Sequence, residues 1–399
     1  MSRCPKISRQ PACRESQSNR ERDSDFHEMN SRLPQTLVIL GRNPAISIAE
    51  IRAKFPNAKI AAREKTFAIF ENLLNLDLKK VGGVIKAGQV FAHSLDFPIA
   101  PVAEFLEKEF AQKTGKHNFA ISLFPENDPT LKTFLVGAKR ALQKAKISAR
   151  FANKNFTNLS SAQSQFEIVK KDGLEILIAN SGKNWWLAKL TAVQPFENYK
   201  FRDYEKKFRD ARVGMLPPKL AQILVNLAAR DSEKAKIYDP FCGSGGVLVE
   251  AGLLGHSILG SDLDARMLDF SQKNLAEFGL SAELFRHDAR QKTFKKFDFV
   301  ATEGYLGPPR RILPDERIRT KIFAELADLY FHFFGWLDCS RVAICFPIYL
   351  EKGLPKFFAS QIILPKIAQF GWKMQNTEKL IYARPNQIVG REVVVLAKN

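Results

Sequence analysis

The 399-residue sequence has few of the residues that build metal sites and disulfide frameworks. Its five cysteines are an odd number and form no C-x-x-C pair, and its six histidines are scattered along the chain. This pattern excludes both a cross-linked secreted scaffold and a cysteine-based zinc site. We therefore expect a protein that works without a bound metal.

Long hydrophobic runs are also missing. No apolar stretch approaches the ~20 residues that a helix needs to cross a bilayer. The polar, arginine-rich beginning of the chain lacks the apolar segment of a secretory signal. These two features predict a cytoplasmic protein that has no membrane partner.

Acidic residues are outnumbered, with 42 Asp and Glu against 61 Lys and Arg, which gives a formal net charge of +19. An excess of this kind is typical of proteins that bind a polyanion, because each neutralised phosphate releases condensed counterions. A general effect on solubility is the alternative explanation. The charge therefore favours a nucleic-acid partner without identifying one.

The length predicts two or three domains, and the 45% content of hydrophobic residues is enough to build their cores. Residues 1–31 are polar, basic and without apolar periodicity, which predicts a disordered tail. From Leu37 to about residue 195, short apolar runs alternate with helical patterns, and residues 175–179 and 185–188, which flank the turn 181–184, are typical of a β-hairpin. This half is expected to be mixed α+β.

Residues 198–216 are strongly charged and predict a linker. The linker is either a solvated connector or a positive hinge beneath a bound RNA backbone. Beyond it, residues 217–399 alternate strands and helices. This alternation predicts a doubly wound α/β domain with a mainly parallel, Rossmann-like sheet that ends in an antiparallel hairpin.

A glycine-rich loop, residues 239–246, joins the first strand of the second half to its first helix. Ligands of doubly wound domains bind at this end of the sheet, and glycines allow the backbone to approach them closely. The P-loop motif is absent, and Leu248 replaces the third glycine of a dinucleotide fingerprint. Asp239 would repel a pyrophosphate but would attract the ammonium group of S-adenosylmethionine, which is the cofactor we expect.

The second and third strands of this half are each followed by an acid. Asp262 is placed to accept hydrogen bonds from ribose hydroxyls, and Asp288 from the adenine amino group, although Asp288 alone is also typical of a turn. The predicted cofactor-binding residues are Asp239, Phe241, Gly243, Gly245, Asp262 and Asp288.

The loop Asp239-Pro-Phe-Cys-Gly-Ser-Gly-Gly246 resembles the first motif of class I methyltransferases that act on exocyclic amines of bases. Residues 209–219 and the helix after them are similar to the start of the catalytic domain in the tRNA guanosine-10 N2-methyltransferase family. Residues 40–50, 82–86 and 147–151 resemble the N-terminal half of that family, and residues 382–385 and 390–392 its C-terminus.

The resemblance spans about residues 36–399 and implies an order of domains. It implies a ferredoxin-like domain over 33–100, an RNA-binding THUMP domain over 101–197 and a class I methyltransferase domain with a seven-stranded sheet over 217–399. It further implies S-adenosylmethionine as cofactor, tRNA as partner and methylation of guanine N2. The oligomeric state stays open.

The catalytic motif departs from the family pattern, an Asp (or Asn)-Pro-Pro-Tyr sequence after the fourth strand. The chain has Glu303-Gly304-Tyr305 there. An exocyclic amine is a poor nucleophile, and a carboxylate with a backbone carbonyl can accept its two N–H bonds and orient it. We therefore predict Glu303 as the amine acceptor, Gly304 as the carbonyl and Tyr305 as the ring that stacks on the base, with a packed loop aromatic as the alternative for Tyr305.

Basic side chains near these features are candidates for RNA contacts. On the N-terminal half we predict RNA contacts by Lys139 and Arg140 of a basic helix and by the nearby Arg150. Beside the catalytic loop we predict contacts by Arg310 and Arg311; the alternative is that these two arginines are only solvated. Three further functions stay open at this point: an rRNA guanine N2-methyltransferase, a DNA adenine N6-methyltransferase and a catalytically inactive RNA-binding relative.

Overall fold

The computed structural model describes residues 34–74, 76–204, 216–384 and 387–398, so the predicted tail lies outside the described residues. The N-terminal half is built on one eight-stranded sheet in the order β2-β3-β1-β4-β8-β7-β5-β6. Its strands are β1 (Gln35–Leu40), β2 (Lys59–Arg63), β3 (Phe67–Glu71), β4 (Val84–Ser94), β5 (His117–Phe124), β6 (Ala149–Phe151), β7 (Leu174–Ser181) and β8 (Asn184–Val193).

Three helices pack on this sheet: α1 (Pro44–Lys54), α2 (Ile99–Phe110) and α3 (Thr130–Lys144). The apolar face of α3 buries Leu131, Phe134 and Leu142 against β5, as the 3.6-residue period of the sequence predicts. The predicted hairpin is present as the antiparallel pair of β7 and β8. The sheet is continuous from β4 to β8, so the regions expected as 33–100 and 101–197 share one sheet.

The second half contains a sheet of nine strands, seven of which follow the path β11-β10-β9-β12-β13-β17-β15. Its strands are β9 (Lys236–Asp239), β10 (Ser257–Asp262), β11 (Glu283–Arg286), β12 (Phe299–Thr302), β13 (Arg341–Glu351), β14 (Leu354–Phe358), β15 (Trp372–Met374), β16 (Leu380–Tyr382) and β17 (Val389–Lys398). Strands β9 to β13 are parallel, and β17 is antiparallel to β13 and to β16. This is the Rossmann-like sheet with a C-terminal hairpin that the sequence predicts, but β14 and β16 pair outside the main path and raise the count from the expected seven strands to nine.

The helices of the second half are α4 (Phe196–Tyr204), α5 (Pro218–Ala229), α6 (Gly246–Leu253), α7 (Ala265–Glu277), α8 (Glu316–Trp336) and α9 (Ser360–Ile367). Helix α8 is capped by Asp315, whose side chain accepts a hydrogen bond from the Ile318 N–H at 2.8 Å. It buries Tyr330, Phe333 and Phe334 in the main core of this half. Within the described residues, no helix is both long and apolar enough to span a membrane.

The two halves are joined by a buried polar junction. Glu50 on α1 is fully buried, and its carboxylate accepts hydrogen bonds from the N–H groups of Gly82 and Gly83 at 2.8 and 2.7 Å. The side-chain amide of Asn226 on α5 donates to the same carboxylate at 2.7 Å. Three of the segments that carry the resemblance therefore meet where α1 packs on the first helix of the second half.

The predicted linker, residues 198–216, is helical in its first part. Helix α4 packs on α5, where Tyr199 is buried and Arg202 forms an ion pair with Glu250 at 2.8 Å. Residues 205–215 lie outside the described part of the chain, and α5 begins at Pro218. The described part of the linker is thus held against the second half rather than extended into solvent.

Candidate active site

Three neighbouring parallel strands end at the same edge of the second sheet. Asp239 is the last residue of β9, Asp262 the last of β10 and Thr302 the last of β12, and β9 lies between the other two. The carboxyl ends of parallel strands at a switch of strand order form the usual ligand crevice of this fold. The predicted cofactor loop and the predicted catalytic loop therefore leave the sheet side by side.

The loop from β9 to α6 has the backbone conformation that its glycines predict. Gly243 and Gly245 have φ angles of +52° and +82°, in the left-handed region that favours glycine. A Cβ atom at Gly245 would lie 2.5 Å from Oγ of Ser271. The Gly243 N–H donates to Oδ2 of Asp262 at 2.9 Å, so this loop is fixed to the end of β10.

Asp239 is buried, with 2% of its surface exposed. Its Oδ1 accepts hydrogen bonds from the Phe241 N–H at 3.1 Å and the Thr302 hydroxyl at 2.6 Å. Burial raises the pKa of Asp239 to about 7, the two hydrogen bonds oppose the rise, and the charges of Asp262 and Glu303 add to it. Asp239 is thus a carboxyl whose charge changes near neutral pH.

Thr302 connects the two loops. Its buried hydroxyl donates to Asp239 and accepts a hydrogen bond from the Gly304 N–H at 3.0 Å. The position of the catalytic loop is therefore set by the same carboxylate that begins the cofactor loop.

Glu303 has a cationic partner that sequence reasoning did not assign. Arg391 on β17 places its Nε 2.5 Å from Oε1 of Glu303, and the two side chains are 7% and 21% exposed. Burial raises the pKa of Glu303, whereas the charge and hydrogen bond of Arg391 lower it. Oε2 of Glu303 makes no hydrogen bond with the described residues, so one oxygen of the carboxylate is anchored and the other is open.

Gly304 and Tyr305 continue this loop. Gly304 has a φ of +72°, and a Cβ there would lie 2.5 Å from the Tyr330 hydroxyl oxygen. That hydroxyl donates to the carbonyl oxygen of Tyr305 at 2.9 Å, while the Tyr305 residue is 47% exposed. The ring of Tyr305 is therefore not packed into the core.

Asp288, expected at the adenine, is already paired. Its carboxylate accepts from the guanidinium of Arg290 at 2.6 Å, and this hydrogen bond lowers the pKa of Asp288. A contact between Asp288 and the cofactor stays a prediction. Phe241 lies beside the core of this half, where its ring meets those of Tyr330 and Phe333 edge to face.

The predicted RNA contacts lie on the surface. Arg140, Arg150, Arg310 and Arg311 are exposed, and Lys139 lies over the ring of Phe151 at 5.7 Å. Arg150 donates to the side chain of Asn118 at 2.8 Å. No three metal-ligating side chains come together anywhere in the described ranges.

Sequence reasoning missed Thr302, Arg391 and Tyr330. The signal for Arg391 was its charge within the otherwise apolar run of β17, because a charged residue in a central strand needs a buried partner. Thr302 ends a strand and Tyr330 lies in mid-helix, and neither type is unusual there. Only the three-dimensional arrangement assigns them to the site.

The sequence profile of the UPF0020 family, described as an RMKL-like methyltransferase domain, matches residues 206–304. These residues contain the cofactor loop and the first part of the catalytic loop. The match covers about a quarter of the chain and supports the predicted methyltransferase domain there.

Three curated relatives that match this chain share one name, tRNA (guanine(10)-N2)-dimethyltransferase. The chain is 41% identical over 96 residues to the tRNA (guanine(10)-N2)-dimethyltransferase of Methanothermobacter thermautotrophicus, which is 24% of this chain and 28% of the relative. It is 49% identical over 104 residues to that of Methanocaldococcus jannaschii (24% and 29%) and 30% identical over 173 residues to that of Pyrococcus abyssi (42% and 49%). These matches confirm the resemblance predicted from the sequence, over less than half the length of each relative.

Among solved structures, TrmN from Thermus thermophilus superposes with a TM-score of 0.51 and 17% identity, over 92% of this chain and 100% of that chain. This similarity establishes a shared fold that extends over both halves. The expected fold class is thereby confirmed.

Proposed function

We propose that the chain is an S-adenosylmethionine-dependent methyltransferase of the tRNA guanosine-10 N2 family, and that it methylates the exocyclic N2 of a guanosine in tRNA. The observation that carries the proposal is the hydrogen-bonded link from Asp239 through Thr302 to Gly304, which holds an acidic loop beside a glycine-rich cofactor loop. The matched methyltransferase profile and the names of the archaeal relatives support it.

The donor set fits S-adenosylmethionine. Oδ2 of Asp239 makes no hydrogen bond within the described residues, which leaves it to face the ammonium group of the cofactor. Each oxygen of Asp262 accepts one backbone N–H, from Gly243 and Asp264 at 2.9 Å, and a carboxylate oxygen has a second acceptor site for a ribose hydroxyl. The left-handed glycines Gly243 and Gly245 let the backbone approach closely. When bound, the cofactor supplies a sulfonium methyl group as the electrophile.

Glu303 has the geometry of an amine acceptor. Arg391 fixes Oε1, so Oε2 is held in one orientation and accepts an N–H of the exocyclic amine. As N2 gains the methyl group it gives up one proton, and the open oxygen of Glu303 is the acceptor for it. Burial raises the pKa of this carboxyl, and the guanidinium of Arg391 opposes that rise.

The neighbouring residues complete the pocket for the base. The carbonyl oxygen of Gly304 accepts no hydrogen bond from the described residues and is available for the second N–H of the amine. Tyr305 presents a half-exposed ring that can stack on an extruded guanine. Together Glu303, Gly304 and Tyr305 perform the roles of an Asp-Pro-Pro-Tyr motif with different residues.

An RNA substrate is favoured over duplex DNA because the N-terminal half is a separate α/β unit with a basic helix, α3, on its surface. The net charge of +19 supplies the electrostatic attraction for a structured RNA. The arginines Arg310 and Arg311 lie exposed just after the catalytic loop, where the backbone of the target nucleotide would pass.

The test is methyl transfer from radiolabelled S-adenosylmethionine into unmodified tRNA transcripts, with the labelled nucleoside identified by chromatography. Glu303→Ala is expected to lose at least 100-fold in rate, because orienting the amine is the main contribution of this loop. The matched control is Glu316→Ala, which removes an exposed acid at the start of α8 in the same half.

Label in N2-methylguanosine that depends on Glu303 but not on Glu316 supports the proposal. Label in N6-methyladenine of duplex DNA, or in rRNA fragments but not in tRNA, assigns a different substrate. Tight binding of tRNA and cofactor with no transfer to any of these nucleic acids identifies an inactive RNA-binding relative.

A further inference from the structure

A cavity of about 660 Å³ lies between the two halves, away from the ends of β9, β10 and β12. Its walls come from the loop after β1, the segment before β4, helix α4, the start of α5 and the end of β16. Each half of the protein therefore contributes to one concave site that is open to solvent, and none of the predicted cofactor or catalytic residues lines it.

The charged side chains that line this cavity are all cationic: Arg42, Lys200, Lys219 and Arg384; no described lining residue is acidic. Arg42 and Lys200 are exposed, and neither forms an ion pair with a described residue. Arg202, two positions further along α4, is different because it is paired with Glu250. Among the described residues, Arg42 and Lys200 thus have no acidic partner at the cavity.

The floor of the cavity is tightly packed. A Cβ atom at Gly82 would lie 2.4 Å from the carbonyl oxygen of Lys219, so the two halves are in close contact there. A Cβ atom at Gly83 would lie 2.7 Å from Cα of Ser47, so this segment also packs closely on α1. The carboxylate of Glu50 holds the N–H groups of both glycines. The segment that forms the floor of the cavity is therefore held against both α1 and the start of α5.

We propose that this cavity binds a phosphodiester segment of the substrate RNA as the strand passes from the N-terminal half to the catalytic half. The inference rests on the proposed function, because it takes RNA as the ligand. Uncompensated guanidinium and ammonium groups in a concave site attract phosphate, and a volume of about 660 Å³ is in the range of ligand pockets. Arg42 contacts the strand from the N-terminal half and Lys200 from the helix that leads into the second half.

The experiment measures the dissociation constant of an unmodified tRNA transcript by fluorescence anisotropy over a series of KCl concentrations. The test protein is the double variant Arg42→Ala/Lys200→Ala. The matched control is Lys65→Ala/Lys183→Ala, which removes the same charge from two exposed lysines in the turns after β2 and β7. Both are compared with the unmodified chain, and thermal unfolding confirms that each variant is folded.

Each phosphate contact contributes about 0.7–0.9 to the slope of log affinity against log salt concentration. The loss of two contacts in the test variant is expected to reduce this slope by about 1.4–1.8 and to weaken binding roughly 10-fold near physiological salt. The dissociation constant for S-adenosylmethionine is expected to stay unchanged, because the cofactor loop is not touched.

An unchanged slope and affinity in Arg42→Ala/Lys200→Ala would overturn the inference, as would an equal loss in the lysine control. In either case methyl transfer to tRNA by the unmodified chain would leave the proposed function standing. Failure of the unmodified chain to bind or methylate tRNA would instead overturn the proposed function, and the inference with it.

Discussion

Replacing Thr302 with valine removes one hydroxyl group and keeps the shape of the side chain. In the native structure this hydroxyl donates to Asp239 at 2.6 Å and accepts from the Gly304 N–H at 3.0 Å. The variant Thr302→Val therefore leaves Asp239 with one hydrogen bond fewer and the Gly304 N–H without its acceptor. We expect both the cofactor loop and the catalytic loop to be affected.

The magnitude follows from the charge of Asp239. A hydrogen bond to an ionised group is worth about 1.5 kcal/mol or more, and its loss raises the pKa of the carboxyl by about one unit. With the native pKa at about 7, about half of Asp239 is ionised at neutral pH. After a rise of about one unit the ionised share falls to roughly one tenth. Binding of the cationic cofactor should then weaken about fivefold at neutral pH and recover above about pH 9.

The assay is isothermal titration of S-adenosylmethionine across this pH range, together with the rate of methyl transfer. Thr302→Ser keeps the hydroxyl and should retain the native pH profile, which separates loss of the hydrogen bond from a change in packing. The reasoning is refuted if Thr302→Val binds the cofactor with the native affinity and pH dependence, or if the serine variant shows the same shift as the valine variant.

Three further predictions concern single side chains of the site. Arg391→Met leaves the carboxylate of Glu303 unpaired and should lower the urea unfolding free energy by about 2 kcal/mol, with recovery in the double variant Arg391→Met/Glu303→Gln; no recovery would contradict a direct pairing. Gly245→Ala should cost about 1–3 kcal/mol, because φ is +82° and the new Cβ meets Ser271; a native unfolding midpoint would contradict the loop geometry. Burial raises the pKa of Asp239 to about 7, so without cofactor its contribution to the free energy of unfolding is fully present below about pH 4 and is lost as the pH rises through about 7. The loss is at most about 4 kcal/mol. Urea titrations across this pH range should show the loss in the native chain but not in Asp239→Asn.

Most helices and strands of the fold could be predicted from local patterns in the sequence. The apolar runs 175–179 and 185–188 on either side of the turn 181–184 predict the hairpin β7–β8, and Pro217-Pro218 before a 3.6-residue apolar period predicts α5; both are present. Helix α8 was not predicted. Its buried residues, from Ile322 to Phe334, do follow the helical period, but further apolar residues outside that face (Leu329, Phe331 and Trp336) obscure it in the sequence.

The candidate site also contains some residues that local patterns predict and others that depend on the three-dimensional arrangement. Asp239 and Asp262 were predictable because each ends a strand, and the ends of neighbouring parallel strands come together by the rules of the fold. Arg391 could not be assigned to Glu303, because β17 pairs with β13 across a long sequence separation and its register determines which residue faces the loop. Asp288 was predictable as an acid after a strand, but its pairing with Arg290 depends on a side-chain conformation that no motif encodes.

The residues of the changed catalytic loop fit the side chains that surround them. Proline has φ fixed near −65°, so it could not occupy position 304, where φ is +72°. The space that a side chain would need there is taken by the Tyr330 hydroxyl, and that hydroxyl holds the next carbonyl of the loop. Arg391 in turn anchors Glu303 on the other side. Gly304, Tyr330 and Arg391 come from three separate elements, and each fixes one part of this loop. The loop is thereby held in one conformation that leaves an oxygen of Glu303 open, which is the geometry that the proposed methyl transfer requires.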